Sequence, residues 1–139
     1  MNRTLSEGEA WDVIKAGKVG RLGCIDDGEP YVVPINYLAE DGRIYSHSLP
    51  GRKIQALRKD GHACLQVDQI HDDFDWQSAI AFGEFEEIRD NVERVTVLRR
   101  LLERFPRLTP VESHLIPHAE SEIVVFRLRV NRVTGVAEE

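Results

Sequence analysis

Ser46, His47, Ser48, Arg52 and Lys53 place two hydroxyls, an imidazole and two cations within eight consecutive residues. The run from Arg43 to Leu57 begins with strand alternation: Ile44 and Ser46 are set against Tyr45 and His47. It breaks at Pro50-Gly51 and restarts as a helix whose first residues are Arg52 and Lys53. Backbone N–H groups at a helix start point at an anion, and the helix dipole adds to the attraction. Arg52 brings a planar fork that matches phosphate oxygens, and Lys53 a compact charge. The chemistry these types could do together is to hold an organic phosphate. The same residues also read as a strand end followed by two solvated cations, and residue type alone favours that plainer reading.

Other combinations carry less. His71-Asp72-Asp73 with Asp75 could be offered as a metal cluster, but neighbours in one loop rarely converge on one ion. His114 and His118 are four apart, yet Pro117 between them removes a shared helical face. No metal site is expected. His62 and Cys64 share a strand face, and a Cys–His nucleophile there would lack an orienting acid. Cys24 and Cys64 sit inside apolar runs of separate strands and read as two buried thiols rather than a disulfide. Trp11 and Trp76 read as core or interface residues. The common nucleotide, hydrolase and dinucleotide signatures (Walker loop, G-x-S-x-G, G-x-G-x-x-G) are absent from the sequence.

The elements that must position these residues follow from pattern and punctuation. Ser6-x-x-Glu9 is a capping box for a helix to about Ala16 that turns Ala10, Val13 and Ile14 inward, with Gly17 as a stop. Strands are expected at Val19 to Ile25, Pro30 to Leu38, from Arg43, at His62 to Ile70, Trp76 to Ile88 and Ser121 to Val133. Asp26-Asp27-Gly28 and Glu40-Asp41-Gly42 make hairpin turns. Pro34 cannot donate to a ladder, which puts its strand at an edge or a bulge. The second helix runs from Gly51 to Lys59 and stops at Gly61. Asp90 and Glu93 form another capping box, for a helix to about Phe105 with Val92, Val95, Leu98, Leu101, Leu102 and Phe105 as its apolar stripe. Pro106 to Pro117 reads as irregular, and Gly135 to Glu139 as a polar tail. Six strands with mostly hairpin-length connections predict a mainly antiparallel sheet closed into a barrel, with helices at its flanks.

The bulk numbers agree with an ordinary globular chain. It has 139 residues, 42% of them hydrophobic and 30% charged, which suits one domain over residues 1–139. A net charge of −6 provides no basic field for a nucleic-acid backbone or an anionic membrane. No apolar run approaches a membrane span, and the first residues lack a signal peptide's apolar block. A cytoplasmic protein is expected.

Several segments taken together resemble a known family. G-R-L-G-C-I-D-D-G-E-P-Y-V-V-P-I-N-Y, I-Y-S-H-S-L-P-G-R-K-I-Q-A-L, C-L-Q-V-D and D-W-Q-S-A-I-A-F-G-E-F-E-E-I are similar in order and spacing to the flavin-binding split-barrel proteins. These include the pyridoxamine 5′-phosphate oxidases and, closer in length and wording, the Nim-type nitroimidazole reductases. The resemblance implies a six-stranded split barrel that forms a homodimer with two FMN molecules at the interface. Arg52 and Lys53 would hold the FMN phosphate, at Gly51-Arg52-Lys53 where the oxidases have Ser-Arg-Lys. Ser46, His47 and Ser48 would complete that pocket. Tyr31, Val32, Val33 and Pro34 would line the flavin ring, their backbone groups facing its polar edge. Trp76 and Ser78 would reach the flavin of the other subunit. The last strand lacks the Arg/His-bearing segment with which the oxidases grip their substrate's phosphate. Reduction of a small flat acceptor such as a nitroaromatic is therefore the closer analogy. A non-catalytic flavin sensor or carrier, or a split barrel holding a deazaflavin or haem, is the alternative.

Overall fold

The structure is a computed structural model that describes residues 1–106 and 123–139. Its order is β1 (Asn2–Thr4), α1 (Glu7–Ala16), β2 (Val19–Asp26), β3 (Glu29–Asn36), β4 (Leu38–Glu40), β5 (Arg43–Ser48), α2 (Arg52–Lys59), β6 (His62–Asp72), β7 (Asp75–Glu87), α3 (Asn91–Arg104) and β8 (Val124–Glu138). Every ladder is antiparallel. The strands run β3-β2-β6-β7-β8-β5-β4 across one sheet, with β1 added to β8. This is the mainly β split-barrel architecture with flanking helices.

Eight strands stand where six are expected: β1 is added by its pairing with the end of β8, and the other extra strand has a local reason. β3 and β4 are one run interrupted at Tyr37. The first half pairs β2 and the second half pairs β5, so the two ends of the strand order are joined through the chain, with no ladder between them. Tyr37 is fully buried, and its hydroxyl donates to the Ile14 carbonyl at 2.5 Å. Burial pushes its phenol up to about 12. Gly17 ends α1 beside this contact, where a Cβ would stand 2.4 Å from the Tyr37 hydroxyl oxygen. The glycine is required for space, since its backbone is extended (φ −79) and not left-handed. Tyr37→Phe should cost about 1 kcal/mol, one neutral hydrogen bond, because Ile14 keeps a second donor in the Gly17 N–H. A lower urea midpoint at unchanged slope would show it; an unchanged midpoint would leave the contact without stabilising effect.

The two turns form as read. Asp27-Gly28 (φ 50, 81) and Asp41-Gly42 (φ 52, 74) have positive φ at both central residues, the geometry whose twist matches two antiparallel strands. The α1 box is complete: Ser6 Oγ accepts from the Glu9 N–H at 3.1 Å, and Glu9 Oε1 from the Ser6 N–H at 2.9 Å. The second box is only half made. Asp90 accepts from the Glu93 N–H at 3.0 Å, but the Glu93 carboxylate turns to Arg127 at 3.0 Å.

Three further expectations need correction. α2 ends at Lys59 with Asp60 as its cap, one residue before Gly61. α3 buries Val97, Leu98 and Leu101 against β5 and β8, whereas Val92, Val95 and Leu102 lie exposed. The stripe read at 3/4 spacing mixed two faces, and tertiary packing chose the one with Val97. The residues after Gly135 are not a tail: β8 continues to Glu138 because β1 and β7 pair it there. Its expected start at Ser121, along with His114, His118 and most of Pro106 to Pro117, lies outside the described residues.

One core fills the barrel, with Leu22, Ile44, Leu65, Val67, Leu128 and the small Ala79 and Ala81 under α1. A second lies under α3. Among the described residues no helix is long and apolar enough to cross a membrane.

Candidate functional site

The strand period of two sorts β2, β3, β6 and β7 into an inner and an outer face. Leu22, Leu65 and Ala81 are in register on the inner face. On the outer face Val32, Gly23, Cys64 and Phe82 are paired in one row across four strands. Gly23 lowers the floor of that row, since a Cβ there would stand 2.9 Å from Cys64 Sγ. The result is a cleft of about 470 Å³ lined by these residues with Tyr31, Pro30, Ile25 and the imidazole of His62 at its rim. Both its size and its apolar lining suit a flat aromatic group.

Arg52 adjoins this cleft through Tyr31. Its guanidinium lies 4.2 Å over the centre of the Tyr31 ring, and its Nε donates to Asp26 Oδ2 at 2.6 Å. That hydrogen bond holds Arg52 even more firmly charged than usual. Two constraints on one side chain fix its plane, and Asp26 uses only Nε. The two terminal nitrogens are left for another acceptor. Gly51 caps α2 with no side-chain hydrogen bond, so no side chain competes for the first N–H groups of the helix. Lys53 follows on the same turn, half-buried. Two guanidinium nitrogens, a lysine and an uncapped helix start beside an apolar cleft fit a group with a phosphate at one end and a flat ring at the other.

The other expected residues divide. Val32 lines the cleft from the outer face and Pro34 lies farther along it, whereas Tyr31 and Val33 have the parity that packs on the barrel core, Tyr31 also reaching the cleft at its end. Pro30 and Pro34 occupy the unbroken β2–β3 ladder without N–H groups of their own. Val32, between them, therefore directs its N–H and C=O to the open edge of β3. Ser46 and Ser48 are buried, and their hydroxyls donate to the Asn36 carbonyl at 2.6 Å and the Leu49 carbonyl at 2.8 Å. The structure thus gives these serines roles in seating β5 against the β3–β4 run and in turning the chain toward α2. His47 takes the opposite face of β5, half-buried and paired with Val125 of β8. Trp76 and Ser78 sit on the outer face of β7, opposite Ile70 and Asp68. Six residues separate Trp76 from Phe82, roughly 20 Å along a strand, so within one chain Trp76 is not brought to the cleft.

Sequence reading missed Gly23, Phe82 and the outward set of Cys64. Cys24 is buried and its thiol is pushed up by that burial, but Cys64 is only half-buried and faces the cleft. The signal was available in the alternation of β7, where Ala79 and Ala81 are small enough for the barrel and Phe82 is not. An acid for His62 also exists: Asp60 Oδ1 lies 2.8 Å from His62 Nδ1 and raises the imidazole above its ordinary range. The acidic turn at Asp72 serves the backbone, its carboxylate accepting from the Phe74 N–H at 2.7 Å.

Comparison with known proteins places this geometry. The family profile described as Pyridoxamine 5′-phosphate oxidase matches residues 6–137. An FAD-binding protein of Mesorhizobium loti superposes with a TM-score of 0.82 at 31% identity, over 100% of this chain and 99% of that one. A candidate 5-nitroimidazole antibiotic resistance protein of Bacteroides thetaiotaomicron superposes with a TM-score of 0.74 at 22% identity, over 100% and 93%, and so shares the fold. An uncharacterized protein of Rhizobium meliloti (strain 1021) is 35% identical over 86 residues; the match covers 62% of this chain and 57% of that protein's length.

Proposed function

The chain belongs to the pyridoxamine 5′-phosphate oxidase family, and from that premise we propose that it binds FMN in the β2–β3–β6–β7 cleft and reduces a small flat acceptor such as a nitroaromatic. The observation that carries the reading is Arg52, clamped between Asp26 and Tyr31 with its terminal nitrogens left for another acceptor beside an apolar cleft. Arg52, Lys53 and the α2 N-terminus hold the phosphate. Tyr31, Val32 and Phe82 cover the ring, and the free backbone groups of Val32 meet its polar edge. The flavin, when bound, supplies two-electron transfer to and from its ring. The protein's own part is to bind, orient and exclude water.

The working unit in this proposal is a homodimer. Val19, Ile25, Val32, Ile70 and Val136 are exposed on the outer sheet face, a run of apolar surface that a second copy would cover. Trp76 and Ser78 lie on that face and reach the cleft only from the other subunit.

FAD is the second reading of the cofactor, favoured by the name of the 31% identical relative. Heat-released flavin separated by chromatography distinguishes the two, and FMN is expected. Reduction by NAD(P)H under argon, followed by reoxidation on adding a nitroaromatic, is expected of the enzyme; a flavin that is bound but never reoxidised by the acceptor would leave a carrier. A colourless protein that takes up neither flavin would sink the proposal.

A further inference from the structure

We propose that Arg132 is a specificity-determining residue that recognises a carboxylate on the acceptor, so that the substrates of this site are small aromatic acids. This rests on the flavin reading above and adds the substrate class to it.

The outer-face row continues beyond the cleft. Val32, Gly23, Cys64 and Phe82 are followed in register by Arg132 of β8. The Arg132 guanidinium lies 4.0 Å over the centre of the Phe82 ring, and Phe82 is a wall of the cleft. A guanidinium stacked on a ring keeps its N–H donors in its own plane, pointing past the ring's edge, where a carboxylate can take two of them. Two rings that line the cleft thus each carry an arginine, Tyr31 with Arg52 and Phe82 with Arg132, and only Phe82 belongs to the outer-face row.

The two arginines differ in their partners. Arg52 is paired with Asp26. Arg21, Arg58, Arg89, Arg100, Arg127 and Arg129 also face carboxylates. Arg132 has none among the described residues. A bulge aims it as well: the β7–β8 register shifts between Phe82 and Gly83, so that Phe82 pairs Arg132, Gly83 pairs Val130, and Asn131 is left over. Such a bulge redirects the side chains beside it. With the phosphate at Arg52 and the flavin ring over the apolar floor, Arg132 is a cation beside that ring for an acceptor lying on it. An acceptor with a carboxylate satisfies it; a neutral acceptor does not.

The test compares 4-nitrobenzoate with 4-nitrobenzamide, which share shape but not charge, on the FMN-loaded dimer. Titration calorimetry and steady-state kinetics are both read. The acid is expected to bind roughly tenfold more tightly than the amide, the range of one charge-assisted contact at an exposed site, with a preference that shrinks as salt rises. Arg132→Gln should remove that preference by raising KM and Kd for the acid at unchanged kcat, leaving the amide as it was. Equal binding of acid and amide to the wild type, a parallel loss of both in the variant, or no binding of either at millimolar concentration would each overturn the assignment. Flavin content is measured first. If the protein holds no flavin, the cofactor reading fails separately, and calorimetry on the flavin-free protein still decides whether Arg132 selects the acid.

Discussion

Replacing Arg52 and Lys53 together by alanine is expected to lower FMN affinity by roughly a hundredfold or more, since each charge-assisted contact to a phosphate is worth about tenfold or above. The effect should be confined to binding. Arg52 is an exposed side chain, its Asp26 partner is only partly buried, and alanine is a better helix former than either residue it replaces. Ile54, Ala56 and Leu57, which seat α2 in the fold, are untouched. The apo-protein of the double variant should therefore unfold close to the wild-type temperature. Titration of FMN followed by quenching of flavin fluorescence measures the loss. Salt gives a second readout, because the wild-type affinity should fall with ionic strength more steeply than the variant's. Unchanged affinity with an unchanged salt slope would remove the phosphate from these two residues.

Gly83→Ala should be the most damaging single methyl group in the described fold. A Cβ at Gly83 would stand 2.3 Å from the Arg129 carbonyl oxygen, 2.9 Å from its carbon and 3.1 Å from Val130 Cα. All three are backbone atoms, so no side chain can swing aside. The ladder between β7 and β8 would have to separate at its bulge, and that ladder runs from Trp76 to Glu87. Overpacking a well-filled site costs about 1–3 kcal/mol where side chains can shift, and here the expected cost is about 3 kcal/mol or more. Gly61→Ala is the control. Its nearest neighbours, the Phe85 nitrogen and oxygen, lie at 3.7 Å, and its cost should be below about 1 kcal/mol. Denaturant midpoints of the two variants decide the matter; equal midpoints would mean that the backbone at the bulge yields freely.

What could be read from the sequence was whatever is specified by neighbours along the chain. Capping, turn chemistry and alternation placed α1, both Asp-Gly turns and every long strand within two residues, except β8, which runs on past Val133 to Glu138. The break at Tyr37 was not legible, because P-Y-V-V-P-I-N-Y-L has no glycine or proline at that point, and only the need to pair two different partners bends the run. The site divides in the same way. Arg52 and Lys53 could be proposed from sequence because a helix start after Pro50-Gly51 has a local signature. Ser46 and Ser48 carry hydroxyls as a phosphate pocket does, but the carbonyls that accept from them are supplied by folding. Arg132 was invisible as a site residue: nothing near it in sequence marks it, and its position depends on a register shift against β7.

The prolines of β3 have a consequence beyond the site. β3 is an open edge, and a strand edge with a full row of free donors is a template on which another chain can build. Pro30, Val32, Pro34 and Asn36 share the parity that faces outward, and two of the four have no N–H to offer. A strand laid against this edge would meet a donor at Val32 with a gap on either side, too few bonds in line to start a ladder. The outward donor between the two prolines is the one assigned to the polar edge of the flavin ring. The same spacing of prolines that reserves that donor for a small ligand thus also guards the barrel against growing into fibrils by edge-to-edge addition.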